Sequence, residues 1–204
     1  MSQRKRTEIA ELGEFGLIDT LTRNATTANK RTIKGVGDDA AVIAAGRDDA
    51  MLVSTDTLLE GIDFDLTYFP LKHLGYKCVT AVTGELYAEF SHPRTMDVRI
   101  GISAKLDFEQ IKEVWAGIVA AAKEHGYKDV SLDLVPSPNG LTISISSSGE
   151  TSLLMAKRRP EGKSMDLICV SGSLGAAYMG FQVLEREKKN FEEGKDQASL
   201  EAYK

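Results

Sequence analysis

Between residues 35 and 64, a glycine-bearing, acid-rich turn precedes an apolar run that ends in hydroxyls and carboxylates, and this pattern narrows both the path of the chain and its chemistry. The stretch reads Gly35-Val36-Gly37-Asp38-Asp39-Ala40-Ala41-Val42-Ile43. After a short polar break it continues Leu52-Val53-Ser54-Thr55-Asp56-Thr57-Leu58-Leu59-Glu60-Gly61-Ile62-Asp63-Phe64. The paired glycines allow a tight turn and a close approach of main chain to a ligand. Leu52 and Val53 predict a buried strand that delivers Ser54, Thr55 and Asp56 at its end. Hydroxyls and carboxylates gathered in this way form a hard, oxygen-rich site, of the kind that suits Mg2+ with its retained waters and bridges to phosphate. An Asp-rich turn ahead of a helix cap is the alternative that the residues alone leave open.

The flanking chain reads as alternating helices and strands. Residues 7–20 have roughly helical apolar spacing interrupted by Gly13 and Gly16, and residues 23–34 are polar and read as a loop. From Pro70 to Phe90, apolar residues recur at steps of three and four (Leu71, Leu74, Cys78, Val82, Leu86), which predicts a helix with Pro70 near its first turn. Met96 to Ser103 alternates like a half-buried strand. Phe108 to His125 follows as an amphipathic helix, capped by Asp107 and stopped by Gly126, with Phe108, Ile111, Val114, Trp115, Ile118 and Val119 expected inward. Val130 to Val135 and Leu141 to Ser146 are further strands, and Leu153 to Ala156 is a candidate extension of the sheet. Asp133 interrupts an apolar strand and so calls for a ligand or an ionic partner, because an unpaired buried charge is costly. Asp166 to Val170 reads as a new strand, followed by a Gly/Ser turn and a helix to about Glu187. Gly162-Lys163-Ser164 is no P-loop, since it precedes a strand where that loop must follow one.

With 204 residues, 42% of them apolar and 27% charged, the chain can build a packed core. The formal net charge of -5 argues against sequence-independent nucleic-acid binding. No run reaches membrane-spanning length, and the charged start, Met1 to Arg6, is not followed by an apolar signal segment. Cys78 and Cys169 lack metal-site spacing and read as buried free thiols. A reducing cytoplasm is the expected compartment.

The two blocks Gly-Val-Gly-Asp-Asp-Ala-Ala-Val and Ser-Thr-Asp-Thr-Leu-Leu-Glu-Gly-Ile-Asp-Phe resemble the amino-terminal half of the thiamine-monophosphate kinase family. That family shares a superfamily with aminoimidazole-ribonucleotide synthetase, selenophosphate synthetase and a hydrogenase-maturation protein. The likeness runs from about Leu12 to Glu187. It implies an α/β (α+β) fold of the aminoimidazole-ribonucleotide synthetase-like type, a sheet with helices on one face that joins a symmetry mate into a dimeric barrel. Residues 1–156 would form the amino-terminal metal and ATP domain, and residues 157–204 the beginning of a truncated second domain. The implied reaction is ATP- and Mg2+-dependent phosphorylation of thiamine monophosphate to thiamine diphosphate. Carried over by position, the metal ligands would be Asp39, Ser54, Thr55, Asp56, Glu85 and Asp133, with Asp38 the lesser of the adjacent acidic pair. Asp133 and Arg159 would approach the nucleotide, and Asp63 would meet the substrate. The four acids Asp39, Asp56, Glu85 and Asp133 are therefore expected to converge on one site.

Several positions depart from the family pattern. Glu85 replaces an aspartate, and Val82, Gly84 and Phe90 replace Asn, Ser and Gly near it. Ser131-Leu132 stand where paired glycines precede the aspartate, and Asp63 stands for a histidine. These changes predict weak binding of Mg-nucleotide and poor turnover. They leave a second reading open, a catalytically degenerate relative or fragment serving association or nucleotide binding.

Overall fold

The computed structural model describes residues 8–24, 29–37, 39–156 and 162–193. Its elements, in chain order, are α1 (Ile9–Thr22), β1 (Thr32–Lys34), β2 (Ala41–Ala44), β3 (Asp49–Leu59), α2 (Leu71–Ala88), β4 (His92–Ile102), α3 (Phe108–Glu124), β5 (Asp129–Pro136), β6 (Thr142–Ser152) and α4 (Ala176–Glu192). The strands form one open sheet in the order β1-β2-β3-β6-β4-β5. All neighbours are antiparallel except β4 and β5, which α3 links as a parallel pair. The expected α/β (α+β) sheet with its helices on one face is thus present, and the sheet is not closed.

Alternation along the long strands decides which side chains the helices cover. Ala50, Leu52, Ser54 and Leu58 of β3 are buried, as are Ile143 and Ile145 of β6 and Met96, Val98 and Ile100 of β4. Leu74, Cys78, Val79 and Val82 of α2 and Val114, Ile118 and Ala121 of α3 form one core with Leu58 and the buried residues of β4 and β6, while Ala50 and Leu52 join Val42 and Leu86 in a second, smaller cluster. The opposite face carries hydroxyls that pair across strands. Thr55 Oγ1 lies 2.9 Å from Ser146 Oγ, Thr57 donates to Ser144 Oγ at 2.9 Å, and Thr95 Oγ1 lies 2.7 Å from Ser148 Oγ.

The two central helices meet through glycine. A Cβ on Gly75 of α2 would fall 2.0 Å from the Val114 carbonyl oxygen, and one on Gly117 of α3 would fall 1.9 Å from the Lys72 carbonyl oxygen. Main chain touches main chain at this crossing, which fixes how close α2 and α3 can come. Asp107 caps α3 by accepting from Gln110 N at 2.9 Å, while the Gln110 side chain accepts from Asp107 N, and Gly126 ends the helix at φ 77°.

Several expectations are corrected. β3 does not end at Ser54: it runs on to Leu59, so Ser54 to Asp56 lie mid-strand and alternate in face. Part of the expected loop, Thr32–Lys34, pairs with β2 as a short strand. Residues 153–155 turn away and do not extend the sheet, and no strand forms over 166–170, which pairs with none of the described strands. Phe108, expected inward, is 74% exposed because it occupies the first turn of α3, beyond the rim of the core. Cys78 is buried as expected but Cys169 is exposed, since the segment carrying it joins no sheet. Neither α1, which breaks at Gly13 (φ 65°), nor α4 contains a buried residue. Among the described residues no helix is long and apolar enough to cross a membrane.

Candidate functional site

Three of the predicted residues meet where the first glycine turn, β3 and α2 come together. Ser54 lies on the helix-facing side of β3 and is 4% exposed. Its hydroxyl donates to Glu85 Oε2 from α2, and the main-chain carbonyl oxygen of Asp39 lies 3.2 Å from the same Oγ. Gly37, at φ 91°, takes the chain through the left-handed region that only glycine enters without strain, and so brings Asp39 back over β3. Glu85 points here because it follows Cys78 and Val82 around the face that α2 turns toward the sheet.

Asp56 lies two residues further along the same face of β3, paired in register with the buried Ile145. Its Oδ1 accepts from Thr57 N at 2.8 Å. Burial pushes the Cys78 thiol up to about 12, and after the opposing effect of Lys77, the charges of Asp56 and then Asp63 add to that rise. The register opposite buried Ile145 puts the Asp56 side chain on the α2 side of the sheet.

Thr55 and Asp133 are not brought to this junction. Thr55 points to the hydroxyl-lined face, because neighbouring strand residues point to opposite sides. Asp133 pairs in register with Arg99, Arg99 with Ser144, and Ser144 with Thr57, a row on that same open face. Its Oδ2 accepts from Arg99 Nε at 2.8 Å, with the two side chains 55% and 65% exposed. The expected convergence of all four acids is therefore corrected for Asp133. Leu132 and Leu134 take the helix side of β5, where they line a groove with Trp115. The partner that Asp133 calls for is an arginine, and the pair is solvated. Arg159 and Asp38 fall outside the described residues.

The donors at the junction are a hydroxyl, a carboxylate and a main-chain carbonyl, with the Asp56 carboxylate on the same face. All are oxygen, which fits a hard cation that keeps part of its water shell. Among the described residues no group of three or more His, Cys, Asp or Glu side chains is placed to hold a metal ion.

Asp63 instead borders a cavity of about 670 Å³ between the 61–69 segment and α4. Its Oδ2 accepts from Leu59 N at 2.8 Å and its carbonyl accepts from Lys77 Nζ at 2.6 Å. Phe64, Phe69, Phe181 and Leu184 supply apolar wall, and Lys77 and Lys188 supply cations. Lys77 Nζ also stands 5.4 Å from the centre of the Phe69 ring. Two contacts hold α4 over the cavity: Lys188 Nζ to Asp65 Oδ2 at 2.5 Å, and the Tyr68 hydroxyl to Glu185. The hydrogen bonds from Lys188 and Thr67 pull the Asp65 carboxyl down to about 2, while burial and Glu185 push Tyr68 up to about 12. No motif marks Lys77, Phe181 or Lys188. The only signal for Lys77 is a cation on α2 beside an apolar helix face.

Residues 37–151 match the family model described as AIR synthase related protein, N-terminal domain. The thiamine-monophosphate kinase of Buchnera aphidicola subsp. Schizaphis graminum is 30% identical over 179 residues, covering 87% of this chain and 54% of that protein. The enzyme of the same name from Bacillus subtilis is 27% identical over 176 residues, covering 86% and 54%. Among solved structures, AaThiL complexed with AMPPCP and TMP superposes with a TM-score of 0.77 at 25% identity, covering 89% of this chain and 55% of that one. The chain thus spans about half the length of these relatives. The junction of Asp39, Ser54 and Glu85 lies inside the matched segment, and the chain belongs to the AIR synthase related family through this N-terminal domain.

Proposed function

We propose that this chain provides the metal- and nucleotide-binding half of a thiamine-monophosphate kinase, which transfers the terminal phosphoryl of ATP to thiamine monophosphate. The observation that carries the reading is the meeting of Ser54, Glu85 and the Asp39 carbonyl at the end of a glycine turn. Its support from relatives is the similarity to thiamine-monophosphate kinases and to a structure holding AMPPCP and TMP.

In this reading Asp39, Ser54, Asp56 and Glu85 hold Mg2+, which when bound neutralises charge on the nucleotide phosphates. Thr55 and Asp133 stand outside that donor set. The 670 Å³ cavity takes the acceptor, with its aromatic walls against the rings and Lys77 or Lys188 toward the phosphate. Asp63, held by Leu59 N, turns its charge into its own loop rather than onto the acceptor. The chain then divides into an amino-terminal domain, residues 1–156, and the start of a second, residues 157–204, working in the cytoplasm. The open hydroxyl-lined sheet face and the exposed edge of β5 favour a homodimer, since pairing covers such edges. Sedimentation showing a monomer at high micromolar concentration would count against the dimer.

A second reading, nucleotide binding without turnover, is favoured by one observation: Asp133 is engaged by Arg99 on the face away from the junction. A coupled ADP-release assay decides between the two. ADP release that requires thiamine monophosphate and disappears in Glu85→Ala supports the kinase. Mg-dependent AMPPCP binding without release supports the second reading, and absence of both rejects each.

A further inference from the structure

Glu60 follows the last residue of β3 and has no role in the donor set above, yet it is tied to β6 twice. Its main-chain N donates to the Leu141 carbonyl at 3.0 Å, and its Oε2 accepts from Leu141 N at 2.6 Å. Leu141 is fully buried, so without Glu60 its N–H would face no solvent partner. The opposing turn is shaped to admit this carboxylate. Gly140 sits at φ 116°, and a Cβ there would lie 2.8 Å from Glu60 Oε2 and 3.2 Å from its Cβ. Beyond Glu60 the chain closes a compact loop in which Gly61 N donates to the Phe64 carbonyl at 2.8 Å and Asp63 N to the Leu59 carbonyl at 2.9 Å. That loop forms the wall of the cavity that carries Asp63 and receives Lys77.

We propose that Glu60 is a positioning residue: by clamping the start of β6 through Leu141 N, it fixes the 61–64 loop and so sets the shape of the acceptor cavity. The proposal rests on the reading of that cavity as the acceptor site, but its geometric half does not. A charged acceptor is required for strength, since hydrogen bonds to ionised groups are about twice as strong as neutral ones. An uncharged acceptor of the same shape should preserve the geometry.

The test compares Glu60→Ala and Glu60→Gln with the unmodified chain by amide hydrogen exchange and by calorimetric titration with thiamine monophosphate and, separately, Mg-AMPPCP. In Glu60→Ala, exchange at Leu141, Gly61 and Asp63 should accelerate about tenfold or more, the effect expected of losing a charge-assisted bond. Amides of Ile100 and Ile143 in the sheet should keep their protection. Affinity for thiamine monophosphate should fall by a similar factor while that for Mg-AMPPCP holds, and Glu60→Gln should recover most of both losses. If the unmodified chain fails to bind thiamine monophosphate, the acceptor reading falls, and the exchange data still decide the clamp. Unchanged exchange at Leu141, Gly61 and Asp63 in Glu60→Ala, or no recovery in Glu60→Gln, overturns the proposal.

Discussion

Two glycines on one helix should respond to the same substitution with opposite signs. Gly75 and Gly84 both lie within α2, where alanine is intrinsically preferred by about 1 kcal/mol. At Gly84 an added Cβ meets nothing within 4 Å, so Gly84→Ala should keep most of that gain. At Gly75 the Cβ would lie 2.0 Å from the Val114 carbonyl oxygen, 2.9 Å from Ile118 N and 3.0 Å from Val114 C. Ordinary contact begins at 3.4 Å, so α2 and α3 must move apart by more than an ångström, and because the obstacle is main chain no rotamer change relieves it. Overpacking costs about 1–3 kcal/mol, and this contact belongs at the upper end of that range. After the propensity gain, Gly75→Ala should lose about 2 kcal/mol, or about 4–8 °C in Tm for a chain of this size. Urea unfolding of the two variants side by side is the assay. The displaced helix also carries Glu85, so Gly75→Ala should weaken Mg-dependent nucleotide binding while Gly84→Ala leaves it near the parent value. A Gly75→Ala variant as stable as Gly84→Ala would refute the main-chain contact.

Phe90 occupies a left-handed position (φ 56°) after α2, where Ser91 N donates to the Leu86 carbonyl in the pattern that favours glycine, so Phe90→Gly should stabilise by about 1 kcal/mol, read from the urea midpoint. Asp133→Asn breaks an exposed pair with Arg99 and should change stability by less than about 1 kcal/mol in the same measurement. A loss above that would mean the pair is buried in an assembly. The Lys188 and Thr67 hydrogen bonds hold Asp65 at about 2, below its unfolded value near 3.8, so its contribution to docking α4 is complete above the unfolded value and is lost as pH falls from about 4 toward 2. Hydrogen exchange in α4 should therefore be flat from pH 8 to about 4, after correction for intrinsic rates, and rise only below that. Loss of protection already at pH 6 would contradict this.

How much of this was legible beforehand depends on the range of the signal. α2 and α3 were readable, and the cap and stop of α3 with them, because helical spacing and capping are local properties. The glycine turn and the run of oxygen-bearing side chains at Ser54 to Asp56 are local features of the sequence too. What could not be read was face. Taking Ser54, Thr55 and Asp56 as a strand end placed them together, whereas a strand continuing to Leu59 sends Thr55 to the other side. The apolar neighbours of Asp133 suggest a buried charge, yet its side chain is on the open face and solvated, paired with Arg99 from a strand 34 residues earlier that only the sheet order brings alongside. The apolar run over 166–170 has strand composition, yet composition alone does not pair a strand. Lys77 and Lys188 reach one cavity from two helices far apart in sequence, so no spacing rule could link them.

The central claim is that Ser54 and Glu85, not Asp133, mark the metal–nucleotide site. Calorimetric titration of AMPPCP with and without Mg2+, on the unmodified chain, Glu85→Ala, Ser54→Ala and Asp133→Asn, tests it most directly. The account predicts Mg-dependent binding that is weakened about tenfold or more in Glu85→Ala and Ser54→Ala, the scale of losing a ligand or its supporting hydrogen bond. In Asp133→Asn binding should change little. Binding that ignores Mg2+, or that is lost in Asp133→Asn and kept in Glu85→Ala, would contradict it.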